Sequence, residues 1–481
     1  MKKITLTLCA ILCALCAIIA QNKPTGVFMK LLTDETAQVQ PNAISENGKW
    51  MVTSTFIDGN YYDASLWNLE TGDCQNLSED ISDALCVNNA GTIVGGSYLG
   101  QPAYWLKSDG IWHSLEMPIG YSAATGDVTA MAIKNNDTIM MGYVIDGMQT
   151  GQIVRWINGK IDNSFEYRKN NRWKEIKDLD VQASTEYLRG MSSDGERFLI
   201  SLDYNITELM EGGALPTTYV QIGSSENYTT TVIEREFGPY SINSFVEEAK
   251  MSHNGKFVCG RIYGDSKNGE EASPSVSFLY NVDEDIFNYY GNIEEIQRYA
   301  GASCVDNQGH VYFKSVNGED PLGKPYIYKN DKYIELEKCL LAYEGITAEQ
   351  IDAIAKEVEG SDADDLGIVW CVSGDGKTLV GAGNDLKGNI WCAKLSCSPY
   401  DVDSYTAVEN ITYNNLAAYY ANGVISIDGA ADRIEVYSIT GAKVISQVVE
   451  NSSIKANLRN GIYVVKIYNG ENVATSKVIV K

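Results

Sequence analysis

The sequence predicts an all-β protein: a β-propeller of about seven blades (six to eight are allowed), followed by a small C-terminal β-sandwich. Three observations carry this. A short phrase recurs seven times: ISENGKWMV from Ile44, VNNAGTIVG from Val87, IKNNDTIMMG from Ile133, MSSDGERFLI from Met191, MSHNGKFVCG from Met251, VDNQGHVYF from Val305 and VSGDGKTLVG from Val372. Each copy is an apolar start, a polar turn ending in Gly (Asp137 in the third copy) and an alternating strand, which is a hairpin signal. Most copies are then followed by an aromatic strand, a turn and a short last strand, making four strands per unit. Turn-to-turn spacings are 43, 46, 58, 60, 54 and 67 residues, and the shortest match one four-stranded blade.

Taken in order, residues 1–20 read as a signal peptide. Lys2 and Lys3 lead the apolar run Ile4–Ile19, and Ala20 precedes the cleavage point. No second run of membrane length follows, so no transmembrane segment is expected after its removal. The propeller takes residues 21–397. Gly26–Leu32, ahead of the first repeat, is expected to add an outer strand to the last blade and clasp the ring. The aromatic third strands contain Trp67, Trp105, Trp156 and Trp391 at a fixed place, read as blade core. Thr218–Ile222 and Thr229–Glu234 supply the later strands of the blurred fourth unit.

Cys86, Cys304 and Cys371 each sit five residues before their turn glycine, where other copies place Ala43, Ala132 and Gly190. A position shared by Ala, Gly and Cys is a small buried slot. Cys371 with Cys392 or Cys397, and Cys74 with Cys86, are the pairs open to a disulfide in an exported chain. Ile346, Ile351, Ile354, Ala355 and Val358 recur at helical spacing behind a Thr347/Gln350 capping box. They predict a helical insertion around 340–360, between blades six and seven on one face of the ring, as a lid, a spacer or part of a binding side. Residues 398–412 read as a linker. Residues 413–481 form the β-sandwich, with alternating strands at Val424–Ile427, Arg433–Tyr437, Lys443–Val449, Gly461–Tyr468 and Ala474–Val480.

Two resemblances follow from these residues. ALCVNNAGTIVGGSYLGQPAYWLKSDGIWHSL, from Ala84, resembles the extracellular HAF-type repeat. SSDGERFL (Ser192) and SGDGKTLV (Ser373) resemble the Asp-Gly-Lys turns of TolB-like WD-type propellers. Both imply a fold and no activity. The tail resembles the C-terminal sorting domain of the Bacteroidota type IX secretion system, through Ile434–Gly441, Asn460–Ile467 and Lys477–Lys481. That resemblance implies Gly461, Tyr463, Val465, Lys477 and Lys481 as sorting-motif residues and the type IX machinery as partner. It also implies export to the cell surface or medium, with the periplasm as destination if the tail does not sort. The Tyr-Pro-Asn-Pro stretch of longer family members is replaced by Tyr419-Tyr420-Ala421-Asn422-Gly423.

The formal net charge of -25 repels phosphate backbones, so no nucleic-acid partner is expected. His113, His253 and His310 fall at different places in their repeats, so no metal site is predicted. No Gly-x-Ser-x-Gly elbow, His-Glu-x-x-His helix or Walker loop occurs, no cofactor is expected, and no catalytic residue can be assigned. Tyr61, Tyr62, Tyr98, Tyr121, Tyr143 and Tyr263 fall in connecting loops, where aromatic rings suit stacking on sugars or peptides. Tyr98, Tyr121 and Tyr143 are the candidate ligand-binding residues. The reading is an exported, non-catalytic binding or scaffold propeller for an unidentified glycan or protein. The alternative is a polysaccharide-acting hydrolase or lyase with carboxylates at the propeller axis.

Overall fold

The computed structural model describes residues 23–32, 38–57, 61–121, 125–145, 151–165, 182–205, 217–224, 231–233, 245–263, 276–291, 299–316, 324–355, 366–382, 389–402, 417–421, 423–428, 431–438, 443–449, 453–459, 461–469 and 472–480. Two compact units divide between Asp403 and Ser404.

The first unit is a seven-bladed propeller of four-stranded antiparallel sheets. The chain enters through β1 (Gly26–Leu32). Blade one is β2 (Gln38–Ile44), β3 (Trp50–Ile57), β4 (Tyr61–Asn68) and β5 (Asp73–Asn76). Blade two is β6 (Ser82–Val87), β7 (Ile93–Tyr98), β8 (Gln101–Leu106) and β9 (Ile111–Ser114). Blade three is β10 (Thr125–Lys134), β11 (Asp137–Ile145), β12 (Gly151–Ile157) and β13 (Lys160–Ile161). Blade four is β14 (Gln182–Met191), β15 (Arg197–Asn205), β16 (Thr217–Ser224) and β17 (Thr231–Ile233). Blade five is β18 (Phe245–Met251), β19 (Phe257–Tyr263), β20 (Val276–Asn281) and β21 (Ile286–Tyr290). Blade six is β22 (Tyr299–Val305), β23 (Val311–Val316), β24 (Pro325–Lys329) and β25 (Lys332–Glu335). Blade seven is β26 (Ile368–Val372), β27 (Thr378–Ala382) and β28 (Asn389–Leu395), with β1 as its outer strand. Gly26 stands opposite Leu395 and Leu31 opposite Ile390, so the first strand of the chain clasps the last blade as Gly26–Leu32 predicts. The inner strands β2, β6, β10, β14, β18, β22 and β26 touch in succession, and β26 returns to β2.

Local chemistry explains the repeated phrase. The Ser hydroxyl that opens the turn accepts the backbone N–H five residues on: Trp50 to Ser45 at 3.0 Å, Arg197 to Ser192 at 2.9 Å, Phe257 to Ser252 at 3.0 Å and Thr378 to Ser373 at 2.9 Å. In copy two Asn88 accepts from Ile93 N, also five residues on, and from Thr92 N, while in copy six Asp306 accepts from His310 N, four residues on. These side chains satisfy the turn's backbone without help from the rest of the fold. The glycine that follows is left-handed, as at Gly48 (φ 67°) and Gly376 (φ 70°), and Asn135 and Asn136 take that conformation in the glycine-free third copy.

All seven inner strands carry a register shift at one place, for example between Pro41 and Ala43, Ala84 and Cys86, Val128 and Ala130, and Val369 and Cys371. Each bulge disturbs the ladder and turns a carbonyl away from its partner strand. Three of these carbonyls are met by a thiol of the preceding blade. Cys86 Sγ donates to Val128 O at 3.6 Å, Cys304 to Val369 O at 3.6 Å and Cys371 to Pro41 O at 3.9 Å. Burial pushes all three thiols up, Cys371 to about 11, so they stay protonated donors. All eight cysteines outside the leader are free thiols in this structure.

The helical insertion forms α1 (Leu336–Leu340) and α2 (Ala348–Ala355). Its capping box is made: Thr347 N donates to Gln350 Oε1 at 2.9 Å and Gln350 N to Thr347 Oγ1 at 3.3 Å. It starts four residues earlier than its apolar period suggests and packs on β1 and β28. Gly26 N donates to Glu344 O, and Glu344 N to Pro24 O. A Cβ at Gly26 would lie 2.8 Å from Ile346 Cδ1, so the insertion clamps the clasp. Residues 398–402, expected in the linker, join the propeller. Tyr400 stacks on His310 with centroids 4.3 Å apart, and Lys329 Nζ binds the carbonyl of Val402 at 2.7 Å.

The second unit is a sandwich. One sheet joins β29 (Ala417–Ala421), β30 (Val424–Asp428) and β33 (Ser453–Lys455). The other orders β32 (Lys443–Val448), β31 (Arg433–Ser438), β34 (Gly461–Asn469) and β35 (Asn472–Val480). Ile425, Ile434, Val436, Val465 and Ile467 are fully buried between them, as the strict alternation demands.

Candidate functional site

All inner strands run in one sense, so the seven repeated turns emerge together at one end of the axis. There they interlock. Glu46 in blade one accepts from Asn307 Nδ2 of blade six at 3.1 Å and lies 3.4 Å from Asn89 Nδ2 of blade two. Gly374 N donates to Glu46 O at 2.8 Å, and Asn307 N to Gly374 O at 3.0 Å. Asn254 N donates to Asn307 Oδ1 at 2.7 Å, and Ser193 N to His253 O at 2.7 Å. His253 Nε2 reaches across to Val372 O at 3.2 Å. Burial holds the His253 pKa below its usual range, opposed by the Glu46 charge, so the neutral imidazole donates through Nε2. These polar groups are engaged with one another across six blades.

His113 pairs with Asp109 at 3.0 Å on an outer hairpin, and His310 Nδ1 with the fully buried Asp306 at 2.9 Å. The three histidines thus serve three blades. Among the described residues no group of three or more His, Cys, Asp or Glu could hold a metal ion.

The opposite end carries the strand two–three hairpins and the blade-to-blade connections. Near it, Asp83 and Asp127 hold matching positions on the inner strands of blades two and three, each two residues ahead of its bulge. Asp83 Oδ1 accepts from Ser54 Oγ, and Asp127 Oδ1 from Thr129 Oγ1 at 2.8 Å. Asn42 Nδ2 bridges Ser54 Oγ and Ala84 O, both at 2.7 Å. Burial raises both carboxyls above the usual range, and for Asp127 the Asp83 charge adds to it. The sequence had no means of choosing this pair among 63 acidic residues.

The hairpin between β7 and β8 is the most unusual surface element. Leu99 at its tip is left-handed (φ 51°) and 57% exposed. The other non-glycine residues with positive φ among those described are all Asn or Asp. A leucine there costs about 1–2 kcal/mol of backbone strain. The tip is held from two sides: Leu99 N donates to Ile81 O at 2.9 Å, and Gly126 N to Gly100 O at 3.0 Å. Ile81, Ile119 and Ile145, in or beside connecting loops of blades one to three, are also exposed.

Tyr98 lies beneath this tip. Its ring stacks on Trp112 with centroids 6.1 Å apart, and its hydroxyl donates to Asp80 at 2.6 Å, which raises its pKa. Tyr121 packs partly buried against the core between blades two and three. Tyr143 packs against the blade three–four core and closely covers Gly151. Of the three, only Tyr121 lies in a connecting loop as expected. Tyr98 ends β7 and Tyr143 lies within β11, because both pair in their blade's second strand, and the three belong to separate packing environments. Tyr62 is 40% exposed, while the side chains of Tyr61 and Tyr263 lie outside the described residues. Leu99 was missed from the sequence. The signal was a Leu-Gly pair where a tight hairpin prefers Asn-Gly.

In the tail, Gly461 opens β34, Tyr463 donates to Arg459 O at 2.9 Å and Val465 is core. Lys477 stands opposite Val464 in β35, and Lys481 lies outside the described residues. On the solvent face of that sheet, Glu435 accepts from Tyr437 Oη (2.6 Å), Tyr468 Oη (2.8 Å) and Lys443 Nζ (2.9 Å). Those bonds hold its carboxyl down to about 2. Arg433 lies over the Tyr468 ring at 4.1 Å, and Lys466 over Tyr437 at 5.6 Å.

Residues 421–481 match the secretion system C-terminal sorting domain. The chain carries a type IX sorting tail, which directs export to the cell surface or the extracellular space. No helix among the described residues is long and apolar enough to cross a membrane. No curated protein matches the sequence. Among solved structures, the chain is similar to an oligogalacturonate lyase in complex with manganese, at 10% identity and TM-score 0.46, over 77% of this chain and 96% of that one. It is similar to PorZ, a surface component of the type IX secretion system of Porphyromonas gingivalis, at 11% identity and TM-score 0.40, over 91% and 60%. It is also similar to the β-propeller domain of the Trilobed protease of Pyrococcus furiosus, at 9% identity and TM-score 0.42, over 76% and 99%. With TM-scores below 0.5, none of these likenesses bears on function.

Proposed function

We propose that this is a non-catalytic binding propeller, displayed outside the cell by its sorting tail, which holds a glycan or protein ligand at the loop end of blades one to three. The observation that supports it is Leu99. An apolar side chain kept exposed in a strained backbone, on a hairpin anchored at both sides, is a preorganised contact. Ile81 lies beside it, Tyr98 on Trp112 supports it from below, and Tyr121 and Tyr143 border the same end. The turn end spends its polar groups on bonds between blades, which favours the loop end as the binding side.

The test is a screen of the purified chain against immobilised polysaccharides and extracellular proteins, repeated with Leu99→Asn. Asn relieves the strain, so that variant is expected to be as stable or more stable and yet to lose binding. A ligand held equally well by Leu99→Asn and by the triple alanine variant of Tyr98, Tyr121 and Tyr143 would overturn the proposal.

A second reading rests on Asp83 and Asp127. Two neighbouring carboxyls with raised pKa values suit acid–base work on a polysaccharide. Turnover of a polysaccharide that Asp127→Asn abolishes, with the fold intact, would establish it in place of the first.

A further inference from the structure

The geometry points to the outer edge of β32 as the place where the export machinery holds the tail, by adding an extended, carboxylate-bearing segment of its own as a fifth strand. This rests on the sorting role of residues 421–481.

Among the described residues, the outer edges of the propeller blades are blunted. Outer strands β5, β9, β13, β17, β21 and β25 have only two to five residues each. The longer β1 is covered by the helical insertion. Short or covered edges are how sheets avoid pairing with other chains. β32 has neither protection. It has six residues, nearly all exposed, with no proline and one charge, Lys443. Val444 and Val448 are 46% and 65% exposed. Among the described residues no strand pairs with its outer side, whereas β35 at the other edge lies against β29.

The backbone direction is set. Val449 N donates inward to Asp432 O at 2.9 Å. Alternate residues of a strand face the same side, so Gln447 also bonds inward while Ser446 and Val448 aim their N–H and C=O outward. That outward row is what strand addition reads.

Charge selects the partner. The last 78 residues hold seven Lys and Arg against six Asp and Glu, and the preceding 403 hold 31 against 57. Lys443, Arg433 and Lys466 lie on or beside β32 and β31, and the carboxylate set among them, Glu435, is already bound by Tyr437, Tyr468 and Lys443. Three cations stand there against Glu435 and the exposed Asp432, so an incoming strand with Asp or Glu meets a face of net positive charge.

Ser446→Pro tests this in the full chain expressed in its own organism. Proline there removes an outward donor and no internal ladder bond. The purified variant should keep the thermal transition of the parent. Its surface and medium fraction should fall roughly tenfold, as expected when a ladder bond is replaced by a clash. Lys466→Glu should lower that fraction in the same direction. Deletion of 421–481 is the control: if that chain still reaches the surface, the sorting role itself fails. If the deletion blocks export while Ser446→Pro exports at the parent level, the edge is not the docking site. A purified parent that is a dimer, made monomeric by Ser446→Pro, would show that the edge takes a second copy instead.

Discussion

The propeller and the tail are both antiparallel sheets in water, yet they treat polar groups differently. In the propeller, carboxyls on the inner strands are half-buried: Asp83 and Asp127 sit above their usual pKa range because desolvation disfavours the charge. In the tail, Glu435 stands on the outer face, bound by two phenols and a lysine that hold it at about 2. The ring places polar groups inside and satisfies them across blades, as Cys86, Cys304 and Cys371 do with bulge carbonyls. The sandwich keeps its interior apolar and gathers its polar network outside. A ring has an inside that every blade shares, and a two-sheet sandwich has only a thin apolar layer.

Four experiments break or sharpen this contrast. The largest effect is expected from Val465→Asp, which puts a charge into the tail core, where Val465 is 0% exposed. It should cost more than about 4 kcal/mol and unfold the sandwich. Calorimetry should lose the tail transition and keep the propeller transition unchanged; a joint loss would show that the units fold as one. Next is Gly26→Leu, whose side chain meets Ile346 and Tyr343. Overpacking of this kind costs about 1–3 kcal/mol. It should lower the propeller midpoint in urea while leaving the tail alone. Cys86→Ala leaves the Val128 carbonyl without its thiol and should cost about 1 kcal/mol. Cys86→Ser should recover part of it, and equal losses in both variants would mean the slot needs only volume.

The smallest effect is a difference in pH response. Glu435 is depressed when folded, so its contribution is present above the unfolded carboxyl pKa of about 4.3 and is lost as pH falls toward 2. Asp83 and Asp127 are raised when folded, so theirs is full below the unfolded value of about 3.9 and lost as pH rises through the folded values. Acid titration should therefore weaken the tail in a way that Glu435→Gln removes. Asp127→Asn should make propeller stability less sensitive to rising pH. A Glu435→Gln acid limb identical to the parent would remove this part of the contrast.

Much of the fold was legible because its determinants are local. Ser373, Asp375 and Gly376 make a turn with their own side chains and backbone, so four or five letters suffice, and seven copies specify a ring. The clasp by Gly26–Leu32, the Thr347/Gln350 cap and the alternation that buries Val436, Val465 and Ile467 are likewise written in neighbouring residues. Glu46 meeting Asn307 across 261 positions, Cys371 donating to Pro41, and the Asp83 charge acting on Asp127 were decided only when the ring closed. Those contacts depend on how each blade turns against the next, which no short stretch of sequence encodes. The sequence by itself determined the repeat, the blade and the exported address. Tertiary packing decided which polar groups were satisfied inside the ring and left Leu99 exposed at the tip of the β7–β8 hairpin.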